Sequence, residues 1–264
     1  MSLFTLEGRV VLVTGAGRGI GRGIAVGLAA QGAKVACAAR TRSQLEETAA
    51  TIAANGGEAQ IVEMDMSDME SLERGVADTI RHFGHIDVLV NNAGMNIRQS
   101  IADASEANFD QIVAVNLKGL YFLSQKVARH MMERCRGKII NIGSLTTGWA
   151  LPNLSVYAAT KGAVGQLTKA QAVELGSFNI QVNAICPGFV ITPLTEKVWA
   201  DATMRTWAED RLALGKLATP EDMVGTAAFL ASSASDYVTG QSIYVDGGFM
   251  AGEDWPLAQT GVVK

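Results

Sequence analysis

The chain has 264 residues, 48% hydrophobic and 18% charged, with a formal net charge of −4. This length and apolar content suit one well-buried α/β domain and exclude a disordered chain. The acidic balance argues against a nucleic-acid partner, and no apolar run approaches the ~20 residues of a membrane helix.

The opening "MSLFTLEGR" lacks a basic leader followed by an apolar stretch, so the expected location is the cytoplasm. Cys37, Cys135 and Cys186 are scattered, and His82, His85 and His130 lie near no cysteine cluster, so no metal is expected. Short apolar runs over 9–15, 34–40, 59–65, 86–92, 137–144, 180–188 and 242–248 alternate with helical stretches. Near-continuous apolar strands alternating with helices predict a doubly wound parallel sheet. No linker or repeat interrupts the pattern, so 1–264 is expected to form a single domain. Ligands of such folds sit beyond the carboxyl ends of the strands.

After the first strand comes "TGAGRGIG", residues 14–21. The pattern G-x-G-x-x-G does not fit it; G-x-x-x-G-x-G does, with Gly15, Gly19 and Gly21. Glycines here allow a tight strand-to-helix turn and let backbone N–H groups approach a pyrophosphate. The second strand ends in Ala39 and Arg40, where a carboxylate would hold the ribose of NAD; Glu46 and Glu47 come too late. Arg18 within the loop and Arg40 suit a 2′-phosphate, so the expected cofactor is NADP(H) rather than NAD(H). Asp65 follows the third strand, in a stretch that also reads as a helix cap, and "NNAG" (91–94) ends the fourth. Asn116 interrupts an apolar helical run, where asparagine is a poor choice without a specific task. Ser144 follows the fifth strand. In "SVYAATKGAV", Tyr157 and Lys161 stand one helical turn apart on one face.

The ordered set "TGAGRGIG", "NNAG", "AVNLKG", "NIGS", "YAATK", "CPGFVIT" and "YVDGG" resembles the short-chain dehydrogenase/reductase family over roughly residues 5 to 250. The resemblance implies a seven-stranded Rossmann-type sheet in the order 3-2-1-4-5-6-7. It implies hydride transfer between a nicotinamide and an alcohol or ketone, with Asn116, Ser144, Tyr157 and Lys161 as the active-site set. Tyr157 would donate or take the proton, but a phenol pKa of ~10 is high for that work. A neighbouring Lys161 ammonium is expected to favour the phenolate, and the resemblance also has Lys161 holding the ribose hydroxyls. Ser144 would hold the substrate oxygen. Asn116 would anchor a water relay to the lysine.

The same resemblance implies cofactor contacts from Gly15, Arg18, Gly19, Ile20, Gly21 and Arg40, from Asp65 and Met66, and from Asn91, Ala93 and Gly94. It extends them to Tyr157, Lys161, Pro187, Gly188, Val190 and Thr192. Substrate candidates are Asn96, Arg98, Thr146, Trp149, Leu151, Phe189 and Leu194. The segment 189–214, carrying Leu194, Trp199, Met204 and Trp207, is expected to form a mobile lid, although such a stripe is often plain core packing. Arg98 suggests a substrate carboxylate. The chain is similar in style to members acting on gluconate-type sugar acids and to tropinone-reductase-like members, with 3-oxoacyl-carrier-protein reductases a step further. Apolar ketones and acyl thioesters, or dinucleotide binding without turnover, are the alternatives. Members usually form homotetramers through two long helices, here around 106–133 and 154–177. The tail 250–264 is expected to cross a subunit boundary, anchored by Trp255.

Overall fold

Each short apolar run forms a strand, and most strands are buried on both faces because helices cover both. The computed structural model describes residues 3–252. The strands are β1 (Val10–Thr14), β2 (Lys34–Ala39), β3 (Glu58–Glu63), β4 (Val88–Asn91), β5 (Gly137–Ile142), β6 (Ile180–Pro187) and β7 (Ser242–Val245). They form one parallel sheet in the order β3-β2-β1-β4-β5-β6-β7. All seven expected strands are present, and the chain leaves the sheet early to make the turns at their carboxyl ends. Along β1, Val11 and Val13 point into one layer and Leu12 into the other. One layer packs Ile24 and Leu28 of α1 (Gly19–Ala29), Leu45 and Ile52 of α2 (Arg42–Ala54), and Ala227 and Leu230 near the carboxyl-terminal end. The other packs Leu72 and Val76 of α3 (Met69–Phe83) against Leu12 and Leu89. Asp68 caps α3 by accepting from the Glu70 N–H at 2.9 Å, and Gly84, at φ 87°, ends it in the left-handed region.

The helix expected over 106–133 is interrupted. It is α4 (Glu106–Val113), a π-turn at Ala114–Gly119, and α5 (Leu120–Glu133). Gly119 permits this arrangement, since a Cβ there would collide with the Met66 carbonyl oxygen. The second long helix is α6 (Ser155–Leu175). The segment after β6 carries two short helices, α7 (Glu196–Trp199) and α8 (Ala202–Glu209), and α9 (Val224–Ala231) precedes β7. Phe189 packs edge-on to Trp199 and Phe249, with centroids 5.3 and 5.0 Å away, and Trp207 completes the cluster.

At the amino ends of the strands, buried Asp87 ties elements together. It accepts from the Val10 N–H at 3.1 Å and from Arg134 Nη2 at 3.0 Å, and His85 Nε2 lies 3.0 Å away. Burial opposes its ionisation, but these partners more than offset that, and its carboxyl sits below the ordinary value. Among the described residues no helix is long and apolar enough to cross a membrane, and no group of three or more His, Cys, Asp or Glu is placed to hold a metal. Trp255 and residues 253–264 lie outside the described residues.

Candidate active site

Sheet order reverses between β1 and β4, and a cleft of about 370 Å³ opens there at the carboxyl ends of the strands. Gly15 (φ 66°) and Gly19 (φ 56°) make the turn from β1 into α1. A Cβ on Gly15 would stand 2.7 Å from Asn92 Nδ2, so the loop closes only over glycine. Arg18 and Arg40 both line the cleft and both are exposed, and neither forms a salt bridge among the described residues. Asp65 also lines it. Its Oδ1 accepts from the Ser67 N–H at 2.9 Å and the Ser67 hydroxyl at 2.7 Å. Burial pushes the Asp65 carboxyl up, but Ser67 and the Arg40 charge leave it below its ordinary value. Asp65 therefore faces the cleft as an anion beside a cation.

Of the positions expected around the cofactor, Gly15, Arg18, Gly19, Ile20, Arg40, Asp65, Met66, Ala93, Gly94, Tyr157, Lys161, Pro187, Gly188, Val190 and Thr192 all line this cleft. Two do not. Asn91 is buried within the sheet, where its Nδ2 donates to Ser124 Oγ at 2.8 Å and to Asn141 Oδ1 at 2.9 Å. The last residue of a strand buried on both faces has nowhere else to point. Its neighbour Asn92 takes the place, donating to the Thr14 carbonyl at 2.9 Å and lining the cleft. Gly21 is buried behind the loop, where a side chain would strike the Gly15 carbonyl and Asn92. Thr41 and Gln44 were missed and also line the cleft. The signal was available: both follow Arg40 at the start of α2, and Gln44 packs where a Cβ on Gly17 would sit.

Tyr157 and Lys161 face the same cleft from the first turns of α6. The Ser144 side chain neighbours the Tyr157 hydroxyl closely enough to favour its ionised form. Ser144 Oγ also accepts from the Thr146 N–H at 3.1 Å, so it caps a short turn as well. Lys161 is buried, its Nζ donating to the Ile142 carbonyl at 2.6 Å and lying 5.7 Å above the Tyr157 ring centroid. Burial pulls the ammonium down to about 8. Burial also raises the Tyr157 phenol, and the Ser144 side chain offsets only part of that. The expected lowering of the phenol by Lys161 is not found among the protein's own groups. The ammonium is committed to a backbone carbonyl and lies over the ring.

Asn116 is buried in the π-turn and does not line the cleft. Its Oδ1 accepts from the Met95 N–H at 2.8 Å and its Nδ2 donates to the Met95 carbonyl at 2.9 Å. Nδ2 also reaches Thr160 Oγ1 at 3.3 Å, and Thr160 donates to the Tyr157 carbonyl at 2.7 Å. The asparagine thus clasps the loop after β4 and touches the helix turn that carries Tyr157. Both ends of its amide are engaged.

Of the substrate candidates, only Leu194 lines the cleft; Asn96, Arg98, Thr146, Trp149, Leu151 and Phe189 do not. Phe189 belongs to the aromatic cluster beneath α7 and α8, as does Trp199, whose indole N–H donates to the Val190 carbonyl at 3.1 Å. Arg98 is exposed and has no ion-pair partner among the described residues. Asn96 and Thr146 each keep a buried side-chain oxygen without a hydrogen-bond partner.

A family model described as Enoyl-(Acyl carrier protein) reductase matches residues 15–250. The chain is 41% identical over 246 residues to gluconate 5-dehydrogenase of Gluconobacter oxydans, covering 93% of this chain and 96% of that one. It is 36% identical over 248 residues to 5-keto-D-gluconate 5-reductase of Escherichia coli K12, covering 94% and 98%. A crystal structure of a gluconate 5-dehydrogenase from Burkholderia cenocepacia, in complex with NADP and tartrate, superposes with a TM-score of 0.91 at 37% identity, covering 95% and 98%. With the glycine turn, the serine–tyrosine–lysine group and the sheet order in one molecule, the chain belongs to the short-chain dehydrogenase/reductase family.

Proposed function

We propose that the protein is an NADP(H)-dependent oxidoreductase that interconverts a secondary alcohol and a ketone on a sugar acid of the gluconate type. One observation carries the reading: Ser144, Tyr157 and Lys161 open onto the same cleft as two exposed guanidiniums, Arg18 and Arg40, neither in a salt bridge among the described residues. Those residues fit the dinucleotide. The glycine turn leaves room a Cβ would fill, the α1 N-terminus suits a pyrophosphate, and Arg18 and Arg40 suit a 2′-phosphate. Asp65 would accept from an adenine amino group, and Lys161 would hold the ribose.

When bound, the nicotinamide supplies or accepts the hydride. The protein handles the proton. Ser144 holds the substrate oxygen, and the Tyr157 hydroxyl donates to it during reduction or takes its proton during oxidation. The raised phenol favours the neutral donor form, which suits reduction. Buried Lys161 stands one turn away, as the positive group that would favour the phenolate in the reverse direction. Asn116 fixes the loop and the helix turn relative to each other.

The substrate class draws on the two relatives that carry gluconate or ketogluconate in their names, and on Arg98, an exposed cation outside the cleft lining on the loop that follows cleft-lining Met95. Leu194, 59% exposed at the cleft, favours an apolar ketone or thioester as the second reading. Initial rates with gluconate, 5-ketogluconate, a 3-oxoacyl thioester and an apolar ketone, each with NADP(H) and NAD(H), decide the matter. Turnover greatest on the sugar acids with NADP(H) is expected; turnover confined to the thioester or ketone, or to NAD(H), would overturn the assignment. Exposed Phe109, Tyr121 and Val173 on α4, α5 and α6 support a homotetramer, which light scattering would reveal as four times the mass of one chain.

A further inference from the structure

A second concentration of charge lies at the amino ends of the strands, opposite the cleft. Arg9 precedes β1, Arg136 and Lys138 begin β5, Asn179 and Gln181 begin β6, and Ser233 and Asp236 follow α9. Together they line a cavity of about 280 Å³. Most of the charge in this region is already engaged. Lys138 Nζ lies 3.1 Å from Gln181 Oε1, 3.2 Å from Ser235 Oγ and 2.9 Å from Asp236 Oδ1, which uses all its protons. Arg134 donates to the Ile86 carbonyl and to Asp87.

The two guanidiniums facing the cavity are different. Among the described residues Arg9 donates only to Ser233 Oγ, at 2.9 Å, and Arg136 reaches only the shared Asp87 carboxylate, at 3.8 Å. A guanidinium carries five N–H donors, so most of theirs remain uncommitted. Four cations (Arg9, Arg134, Arg136, Lys138) share two carboxylates (Asp87, Asp236), with His85 on Asp87 as well. The cations press on one another. Burial, then the Arg136 charge, pulls Arg9 below its ordinary value against the opposing pull of Asp87 and Asp236, and Arg9 in turn works with burial to lower Lys138 against the pull of Asp236. This surplus costs the fold free energy that an anion would relieve.

We propose that this cavity binds a small dianion, a phosphate or phosphate ester, held between Arg9 and Arg136 with the Ser233 hydroxyl beside it. Planar guanidinium forks match phosphate oxygens two at a time. The volume falls just below the roughly 300–1,000 Å³ of ordinary ligand pockets, so it suits a phosphate bearing no more than a short organic group. The site is separate from the cofactor cleft and independent of the substrate assignment.

The test is a titration of inorganic phosphate into NADP⁺-saturated protein, followed by melting temperature and calorimetry. Saturation keeps Arg18 and Arg40 occupied, and potassium chloride at matched ionic strength is the control. Saturable binding is expected, weakened about tenfold by Arg136→Gln, with NADP⁺ affinity and turnover unchanged. Tighter binding of glycerol phosphate would assign the site to an ester, and tighter binding of inorganic phosphate to the free ion. A response no larger than that to chloride would overturn the proposal, as would equal half-saturation in wild type, Arg136→Gln and Arg9→Gln.

Discussion

The cofactor half and the substrate half of the cleft are built in different ways. The cofactor half hangs on strand ends and glycine turns, where backbone geometry leaves little choice of residue. Gly15, Arg40, Asp65 and Gly188 all fall where a strand stops, and a Cβ on Gly188 would stand 2.6 Å from Asp246 Cα. The substrate half hangs on longer excursions, 92–104 and 189–215, and the aromatic side chains of the second mainly pack into their own cluster. A side chain fixed by the sheet can be placed from sequence. One fixed by loop-to-loop packing needs the three-dimensional contacts.

The contrast can be broken most severely at Tyr157. Tyr157→Phe keeps the ring over Lys161 and loses the proton, so kcat should fall about 10³-fold with NADP⁺ affinity retained, as stopped-flow and binding titration would show. Near-normal turnover would remove the tyrosine from the chemistry. The cofactor half alone is probed by Arg40→Asp. Placing a carboxylate at the end of β2 should move the NADP/NAD preference in kcat/KM about 10²-fold toward NAD, and unchanged affinities for both would refute the 2′-phosphate role. The substrate half is probed by Arg98→Ala. KM for an anionic sugar acid should rise about tenfold while an apolar ketone is unaffected; equal KM on every anion would end the carboxylate-clamp idea.

The smallest effect sharpens the border between the halves. Lys161 has a folded value of about 8, below the ordinary 10.5, so the folded protein releases this proton before the unfolded chain does. The unfolded chain then binds more protons between pH 8 and 10.5, so this residue's contribution to stability rises with pH across that window. The melting temperature of wild type minus that of Lys161→Met should therefore increase from pH 8 to 10. A flat difference would mean that the amine is not desolvated.

The fold was legible because period and burial agree: seven apolar runs, most of them buried on both faces and separated by helices, leave few arrangements. The positions that line the cleft were legible for the same reason, with an informative exception. Of two adjacent asparagines, the first ends the buried strand and the second begins the turn, so Asn92 and not Asn91 meets the cleft. Sequence spacing cannot separate them without knowing where the strand stops. Phe189 misled for a different reason, whereas the packing alternative offered for the stripe that carries Trp199 is what the cluster shows. An aromatic near a cofactor motif reads equally as a pocket wall or a packing cluster, and only the edge-on contacts among Phe189, Trp199 and Phe249 decide for packing. The π-turn had one hint, an asparagine in an apolar helix, and sequence alone does not say that its amide is needed at both ends.

That double engagement limits what position 116 can become. A side chain there must offer an acceptor and a donor side by side, at one reach, to the N–H and the carbonyl of the same residue, Met95. An ionised aspartate would set a lone pair against a carbonyl, leucine would strand both backbone groups, and glutamine would overshoot by a methylene. The bulge in the helix and the identity of the residue inside it therefore form one chemical constraint, and drift at this site would register first as a loosened loop at the mouth of the cleft.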